Sequence, residues 1–193
     1  MPMRLAGLVL AAGAGRRFGM PKALVRHHGR LLVERAIEVA VAAGCAPVVV
    51  VLGAAAADIR AVAELGAAVV VDNPDWESGM GSSLRAGLAA LAATDASAAV
   101  VLLVDMPGVT AAAARRVGSL ADADALAMAG YGERRGHPVL LGRSHWTGIA
   151  RTAIGDVGAR PYLRRHAAEV QVVSCVDVAD DGDIDIPADI REA

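Results

Sequence analysis

Short apolar runs of strand length recur along the chain, each separated from the next by a stretch of helical spacing, and this alternation confines the fold to a narrow class. Leu5–Leu10, Val48–Leu52, Ala67–Val71 and Ala98–Val104 are close to continuous Val, Leu and Ala. Runs of that kind suit strands buried on both faces of a sheet. Between them, Leu31–Ala43 places Leu32, Ala36, Val39 and Ala43 at helical spacing and closes on Gly44. Ala55–Leu65 ends at Gly66, Ser82–Ala93 opens with Gly81 or Ser82 as its cap, and Thr110–Leu120 opens at Thr110. A β-α-β-α-β-α-β order implies an α/β fold: a mostly parallel sheet between two helical layers. The second half is less regular. Ala125–Ala129 and Pro138–Leu141 read as strands flanking a loop at Tyr131–Gly136, with a last strand at Gln171–Val176. No linker, repeat or low-complexity tract divides the 193 residues, so the expectation is one domain, 1–193.

Composition narrows the function. Aromatic residues make up 3% of the chain and the net charge is -2, which argues against a base-stacking or generally basic nucleic-acid surface. No apolar run approaches the roughly 20 residues that span a bilayer. Arg4 followed by Leu5–Ala12 mimics a short signal peptide, but the run is short for that role and reads better as the first strand. Cys45 and Cys175 lack metal-ligand spacing and do not form a disulfide framework, so a reducing cytoplasm is expected.

Positive charge is local. Leu10-Ala11-Ala12-Gly13-Ala14-Gly15-Arg16-Arg17-Phe18-Gly19-Met20-Pro21-Lys22 follows the first strand directly. Glycines let the backbone approach a ligand closely, and exposed amides beside guanidinium and ammonium groups suit a polyphosphate. The dinucleotide fingerprint G-x-G-x-x-G fails, because Phe18 stands where the third glycine belongs and Gly19 comes one place late. The P-loop pattern fails too: Gly19 precedes Met20, and Lys22 precedes Ala23. In parallel α/β sheets ligands bind beyond the carboxyl ends of the strands. That rule lines up Ala11–Lys22, Asp72–Gly81 and Asp105–Val109 along one edge.

Several further residues could carry chemistry there. Asp105, at the end of an apolar strand and before Met106-Pro107, is a candidate Mg²⁺ ligand facing the glycine loop, since Mg²⁺ takes one or two carboxylates plus phosphate oxygens. The tail holds Asp177, Asp180, Asp181, Asp183, Asp185 and Asp189, most of them expected in solvent. Asp185 lies between Ile184 and Ile186; burial of both isoleucines would turn its carboxylate toward the site. Asn73, Gly79, Ser82 and Ser83 join a strand to a helix and could contact a sugar or base. His137, Asp156 and Arg160 sit in two more charged, glycine-punctuated loops. His27 and His28 read as solvated, and no histidine is paired with a nucleophile.

Together these motifs resemble the MobA/MocA-like nucleotidyltransferases, especially molybdenum cofactor cytidylyltransferases, from Leu5 to about Ile190. The resemblance rests on Leu10-Ala11-Ala12-Gly13-x-Gly15-x-Arg17-x-Gly19-x-Pro21-Lys22, Asn73…Gly79-Met80…Ser82-Ser83-Leu84, Asp105-Met106-Pro107, Gly136-His137-Pro138 and Gly155-Asp156-x-Gly158-Ala159-Arg160. It implies a three-layer αβα Rossmann-like fold of the nucleotide-diphospho-sugar transferase type. It implies NTP binding by Leu10, Ala11, Ala12, Gly13, Ala14, Gly15, Lys22, Asn73, Gly79, Ser82 and Ser83, with Arg17, Lys22 and Asp105 catalytic. Asp105 and Asp185 would hold Mg²⁺, and His137, Asp156 and Arg160 the acceptor. The Leu-Ala-Ala-Gly form accompanies CTP in that family, so Ala12 favours CTP. The implied partners are a phosphorylated pterin-type acceptor and a molybdoenzyme or its chaperone. A guanylyltransferase, an NAD(P)-dependent oxidoreductase and a binding module without catalysis stand as alternatives.

Overall fold

A computed structural model describes residues 4–189; residues 1–3 and 190–193, which the single-domain expectation included, lie outside the described residues. The elements run β1 (Leu5–Ala11), β2 (Arg26–His27), β3 (Arg30–Leu31), α1 (Leu32–Ala42), β4 (Val48–Leu52), α2 (Ala56–Val62), β5 (Val69–Asp72) and α3 (Met80–Ala92). They continue with β6 (Ala98–Leu103), α4 (Ala111–Gly118), β7 (Leu126–Tyr131), β8 (Arg134–Gly142), α5 (Trp146–Thr152), α6 (Arg160–Arg165) and β9 (Val170–Ser174).

Seven strands form one sheet in the order β5-β4-β1-β6-β8-β7-β9. All neighbours are parallel except β8, which is antiparallel to both β6 and β7. Strand alternation divides the core in two. Val9, Val50, Val100 and Leu102 face α1 and α4, whereas Leu8, Val49, Val51 and Val101 face α3 and α5. This is the expected three-layer αβα arrangement, and it explains why the strands read as unbroken apolar runs. Because the parallel strands all end at one edge, their loops converge there.

Four local expectations are corrected. Tyr131–Gly136 is not a loop: β7 and β8 continue through it and turn only at Gly132-Glu133, where Gly132 has φ +69°. α2 stops at Val62 rather than Leu65, because the Glu64 amide leaves the helix to donate to Glu34 Oε1 at 2.9 Å. α3 opens at Met80, with Gly79 at its cap position in place of Gly81 or Ser82. His27 is half-buried and held in its neutral form by that burial and by the nearby charges of His28 and Arg35, whereas His28 is exposed. Thr110 caps α4 as its sequence suggests, accepting from the Ala113 amide at 3.2 Å.

Candidate active site

The carboxyl edge of the sheet opens into a cleft of about 1140 Å³. One end is the loop after β1. Leu10, Ala12, Gly13, Ala14, Gly15, Arg16, Arg17 and Lys22 line it. Ala11, expected among them, is 1% exposed and packs in the opposite core, because alternation along the strand sends it to the other face. The loop folds back on itself through the Gly19 amide, which donates to the Gly15 carbonyl at 2.8 Å. Gly15 is required there. Its φ is +61°, and a Cβ would collide with the Met20 carbonyl oxygen. Pro21 then starts the short turn that carries Lys22 inward.

Lys22 sits between two carboxylates. Its ammonium donates to Asp105 Oδ2 at 3.1 Å and to Asp185 Oδ1 at 2.8 Å, while Arg17 donates to Asp185 Oδ2 at 3.1 Å. Burial alone would lower the Lys22 pKa, but the Asp185 hydrogen bond and the charges of both aspartates outweigh it and hold it above its ordinary value. The Lys22 hydrogen bond in turn holds Asp185 below the usual carboxylate range. The long-range delivery of Asp185 is a matter of backbone bonds. Thr110 Oγ1 donates to the Val178 carbonyl at 2.8 Å, the Asp180 amide to Gly108 at 3.1 Å, and the Ile184 amide to the Asp105 carbonyl at 2.8 Å. The tail is thereby strapped across the Asp105–Gly108 turn. Only Ile184 is buried; Ile186 is 47% exposed, so the expected two-isoleucine clamp is a single anchor. Asp189 replaces the missing half by accepting from the amides of Asp185 and Ile186.

The donor set fits Mg²⁺. Two carboxylates converge on one cation position, and among the described residues no group of three or more His, Cys, Asp or Glu forms a complete cage. Mg²⁺ is characteristically held by one or two carboxylates with phosphate oxygens and water filling its octahedron.

The Asn73 loop contributes differently from what its sequence suggests. Asn73 is 4% exposed and donates from its amide nitrogen to Ser82 Oγ at 2.7 Å and Ser83 Oγ at 3.0 Å, while its oxygen accepts from the Asp75 amide. Asn73 and Ser82 do not line the cleft; Ser83 does, beside Gly79 and Trp76. Asn73 and Ser82 therefore brace the loop that presents Trp76 and Gly79 to the cleft. Asp156 lines the cleft and accepts from the Met80 amide at 3.3 Å at the start of α3.

His137, Arg135, Arg160 and Arg164 also line the cleft, with Asp156, Asp181 and Asp183 and the apolar Met128, Val139, Leu163 and Val170. Burial, and secondarily the Arg160 charge, push the His137 pKa down to about 4, so its imidazole is neutral at physiological pH. Sequence reasoning overlooked Trp76, Arg135 and Arg164, and also Arg35, which donates to the Pro107 carbonyl at 3.1 Å and fixes the turn after Asp105. Only Arg135, beside Gly136-His137, stood next to a residue already singled out.

The glycine-and-cation loop thus faces Asp105, just beyond β6, and Asp185 of the tail, and the family model of the MobA-like NTP transferase domain matches residues 7–170. The chain belongs to that family. Nicotine blue oxidoreductase of Paenarthrobacter nicotinovorans is 40% identical over 187 residues, covering 93% of this chain and 91% of that protein. Molybdenum cofactor guanylyltransferase of Rhodobacter capsulatus is 33% identical over 147 residues, 75% of this chain and 67% of that protein. Among solved structures, Rv0371c of Mycobacterium tuberculosis superposes with a TM-score of 0.84 at 29% identity, covering 98% of this chain and 96% of its own. The same mycobacterial protein is known in complex with manganese, at a TM-score of 0.75 and 28% identity. Among the described residues, no helix of this MobA-like chain is long and apolar enough to cross a membrane, and both cysteines are buried and free.

Proposed function

We propose that this MobA-like protein transfers a nucleoside monophosphate from an NTP, with CTP as the favoured donor, to a phosphorylated pterin-type acceptor, releasing pyrophosphate. One observation carries the reading: Lys22 and Arg17 of the glycine loop meet Asp105 and Asp185 at a single point in the cleft. An anion-binding loop beside two oxygen ligands is what a metal–triphosphate complex requires.

In this reading the backbone of Gly13–Gly15 cradles the triphosphate, and Arg17 and Lys22 lie against its negative oxygens. An oxygen of the acceptor phosphate attacks the α-phosphorus, the bond to the bridging oxygen breaks, and pyrophosphate leaves with the electron pair. Charge grows on the α-phosphoryl oxygens and the leaving group, so cations held in place beforehand stabilise the transition state more than the ground state. A divalent cation on Asp105 and Asp185 would supply Lewis-acid neutralisation of the phosphates. The mycobacterial relative solved in complex with manganese supports a divalent cation as a ligand of this fold. No general base is needed, because a phosphate monoester is already ionised near neutral pH.

Ala12 supports CTP through the Leu-Ala-Ala-Gly resemblance; its Cβ packs with Trp76 against Gly53, and both side chains line the cleft. GTP is the competing donor, since the Rhodobacter relative is a guanylyltransferase. A second reading, an NAD(P)-dependent oxidoreductase, is favoured by one observation, the full-length similarity to an oxidoreductase. Incubation with α-labelled CTP or GTP, Mg²⁺ and molybdopterin separates these. Label appearing on the pterin with one pyrophosphate released per transfer supports the transferase. No transfer from either nucleotide, with NADPH consumed in the presence of an electron acceptor, supports the alternative.

A further inference from the structure

Three of the four carboxylate oxygens of Asp105 and Asp185 are already engaged by cationic side chains. The Lys22 ammonium holds Asp105 Oδ2 at 3.1 Å and Asp185 Oδ1 at 2.8 Å, and Arg17 holds Asp185 Oδ2 at 3.1 Å. A divalent cation on these two aspartates needs the same oxygens. The four side chains carry two positive and two negative charges, so the cluster is balanced on its own. A bare divalent cation brought among them meets the Lys22 charge at close range, and like charges a few ångströms apart repel strongly where bulk water is excluded. Lys22 is the most sheltered of the four. Its side chain is 15% exposed, against 29% for Asp105, 37% for Asp185 and 80% for Arg17, so solvent screens its charge least.

The Lys22 backbone has little freedom to leave. It lies in a short turn in which the Val25 amide donates to the Lys22 carbonyl at 3.0 Å, and the neighbouring Ala23 is buried. Only the side chain can swing. Drawing a sheltered ammonium off its carboxylates without a new anionic partner is costly, because it leaves an uncompensated charge. The glycine loop supplies such a partner when a polyphosphate occupies it, since Gly13, Ala14 and Gly15 line the cleft together with Lys22.

We infer that Lys22 is a specificity-determining residue that reserves Asp105 and Asp185 for a metal–triphosphate complex. Its ammonium competes with a free divalent cation for their oxygens and yields them when phosphate oxygens receive it. The cation and the triphosphate therefore favour each other's binding, and by linkage each raises the other's affinity by the same factor. The triphosphate half of this inference rests on the transferase reading; the competition between the ammonium and a divalent cation does not.

Mn²⁺ binding to the nucleotide-free protein, followed through the EPR signal of the free ion, tests the competition. Lys22→Gln and Lys22→Met each remove the charge, and the first keeps a hydrogen-bond donor. Both are expected to bind Mn²⁺ at least about tenfold more tightly than the wild type, a modest scale for one sheltered charge at this range. Lys22→Arg keeps the charge and is expected to stay at the wild-type affinity. So is Arg4→Gln, which removes a cation paired with Asp95 beside the opposite end of β1. Adding Asp185→Asn to Lys22→Gln removes the gain. Either neutral variant that retains the wild-type circular dichroism spectrum decides the matter. Wild-type affinity for Mn²⁺ in such a variant overturns the inference, as does a gain that survives Asp185→Asn or appears equally in Arg4→Gln. CTP binding to the wild type, with and without Mn²⁺, is measured in parallel. A gain in the neutral variants with no Mn²⁺-dependent CTP binding removes the transferase reading and leaves the competition standing. Mn²⁺-dependent CTP binding without the gain does the reverse.

Discussion

The Lys22 ammonium donates to the Asp185 carboxylate at 2.8 Å across 163 residues of sequence. This contact joins the first loop of the sheet to the tail that crosses the Asp105 turn, so the Lys22 end of the cleft exists only in the folded chain. It also places a cation where two carboxylates converge. A metal–nucleotide complex entering the cleft would take those carboxylates and release Lys22 toward the phosphates.

Removing the Lys22 charge therefore strikes the transition state directly. Lys22→Ala is expected to lower kcat on the order of 10²-fold, the scale of losing one preorganised stabilising contact. Steady-state kinetics with saturating CTP and Mg²⁺ measures it. Turnover close to wild type removes Lys22 from the proposed role.

Asp105→Asn and Asp185→Asn should each abolish the metal-dependent part of CTP binding while leaving the protein folded. The check is whether Mg²⁺ or Mn²⁺ still increases the rise in Tm caused by CTP. A full metal-dependent increment in both variants contradicts the assignment of these carboxylates.

Acid stability follows from His137. Its pKa falls from 6.5 to about 4 on folding, so between those values the unfolded chain binds more protons than the folded one. Stability contributed by the neutral imidazole is complete above pH 6.5 and is lost as pH falls toward 4. His137→Gln should flatten that part of the stability profile in urea titrations, and the imidazole should titrate near pH 4 by NMR. An ordinary titration near 6.5 in the folded protein contradicts the prediction. Asp185 acts with the same sign at lower pH, since its folded pKa lies below 3.8, whereas Lys22 contributes below 10.5 and loses its contribution as pH rises through its raised value.

Asn73 tests a structural role. Asn73→Ala leaves the Ser82 and Ser83 hydroxyls and the Asp75 amide without their buried partner. The expected cost is about 1–3 kcal/mol in ΔG of unfolding, the penalty for unsatisfied buried polar groups. Unchanged stability with a purely kinetic defect would instead assign Asn73 to ligand contact.

The sequence pattern revealed the sheet because buried parallel strands are apolar on both faces, and Leu5–Leu10, Val48–Leu52 and Ala98–Val104 have no polar residue to blur them. Arg17, Lys22 and Asp105 were legible for a different reason: the first two lie in the loop that leaves β1 and the third just beyond β6, and strand ends converge. Asp185 was harder, because long-range bonds bring it in: Thr110 Oγ1 to the Val178 carbonyl, and the Asp180 and Ile184 amides to the Gly108 and Asp105 carbonyls. Asn73 and Ser82 misled in the opposite direction. A polar loop before a helix looks the same in sequence whether its side chains point at a ligand or at one another. Arg164 carries no signal until α6 is assembled against the cleft, and Arg135 shows only as a neighbour of Gly136-His137.

Binding of CTP, GTP and NADPH to the unmodified protein, each with and without Mg²⁺, tests the central claim most directly when followed by thermal shift. A metal–triphosphate clamp at Lys22, Asp105 and Asp185 predicts that CTP raises the Tm, that Mg²⁺ enlarges the rise, and that NADPH has little effect. Stabilisation by NADPH alone, unchanged by Mg²⁺ and matched by neither nucleoside triphosphate, would contradict it.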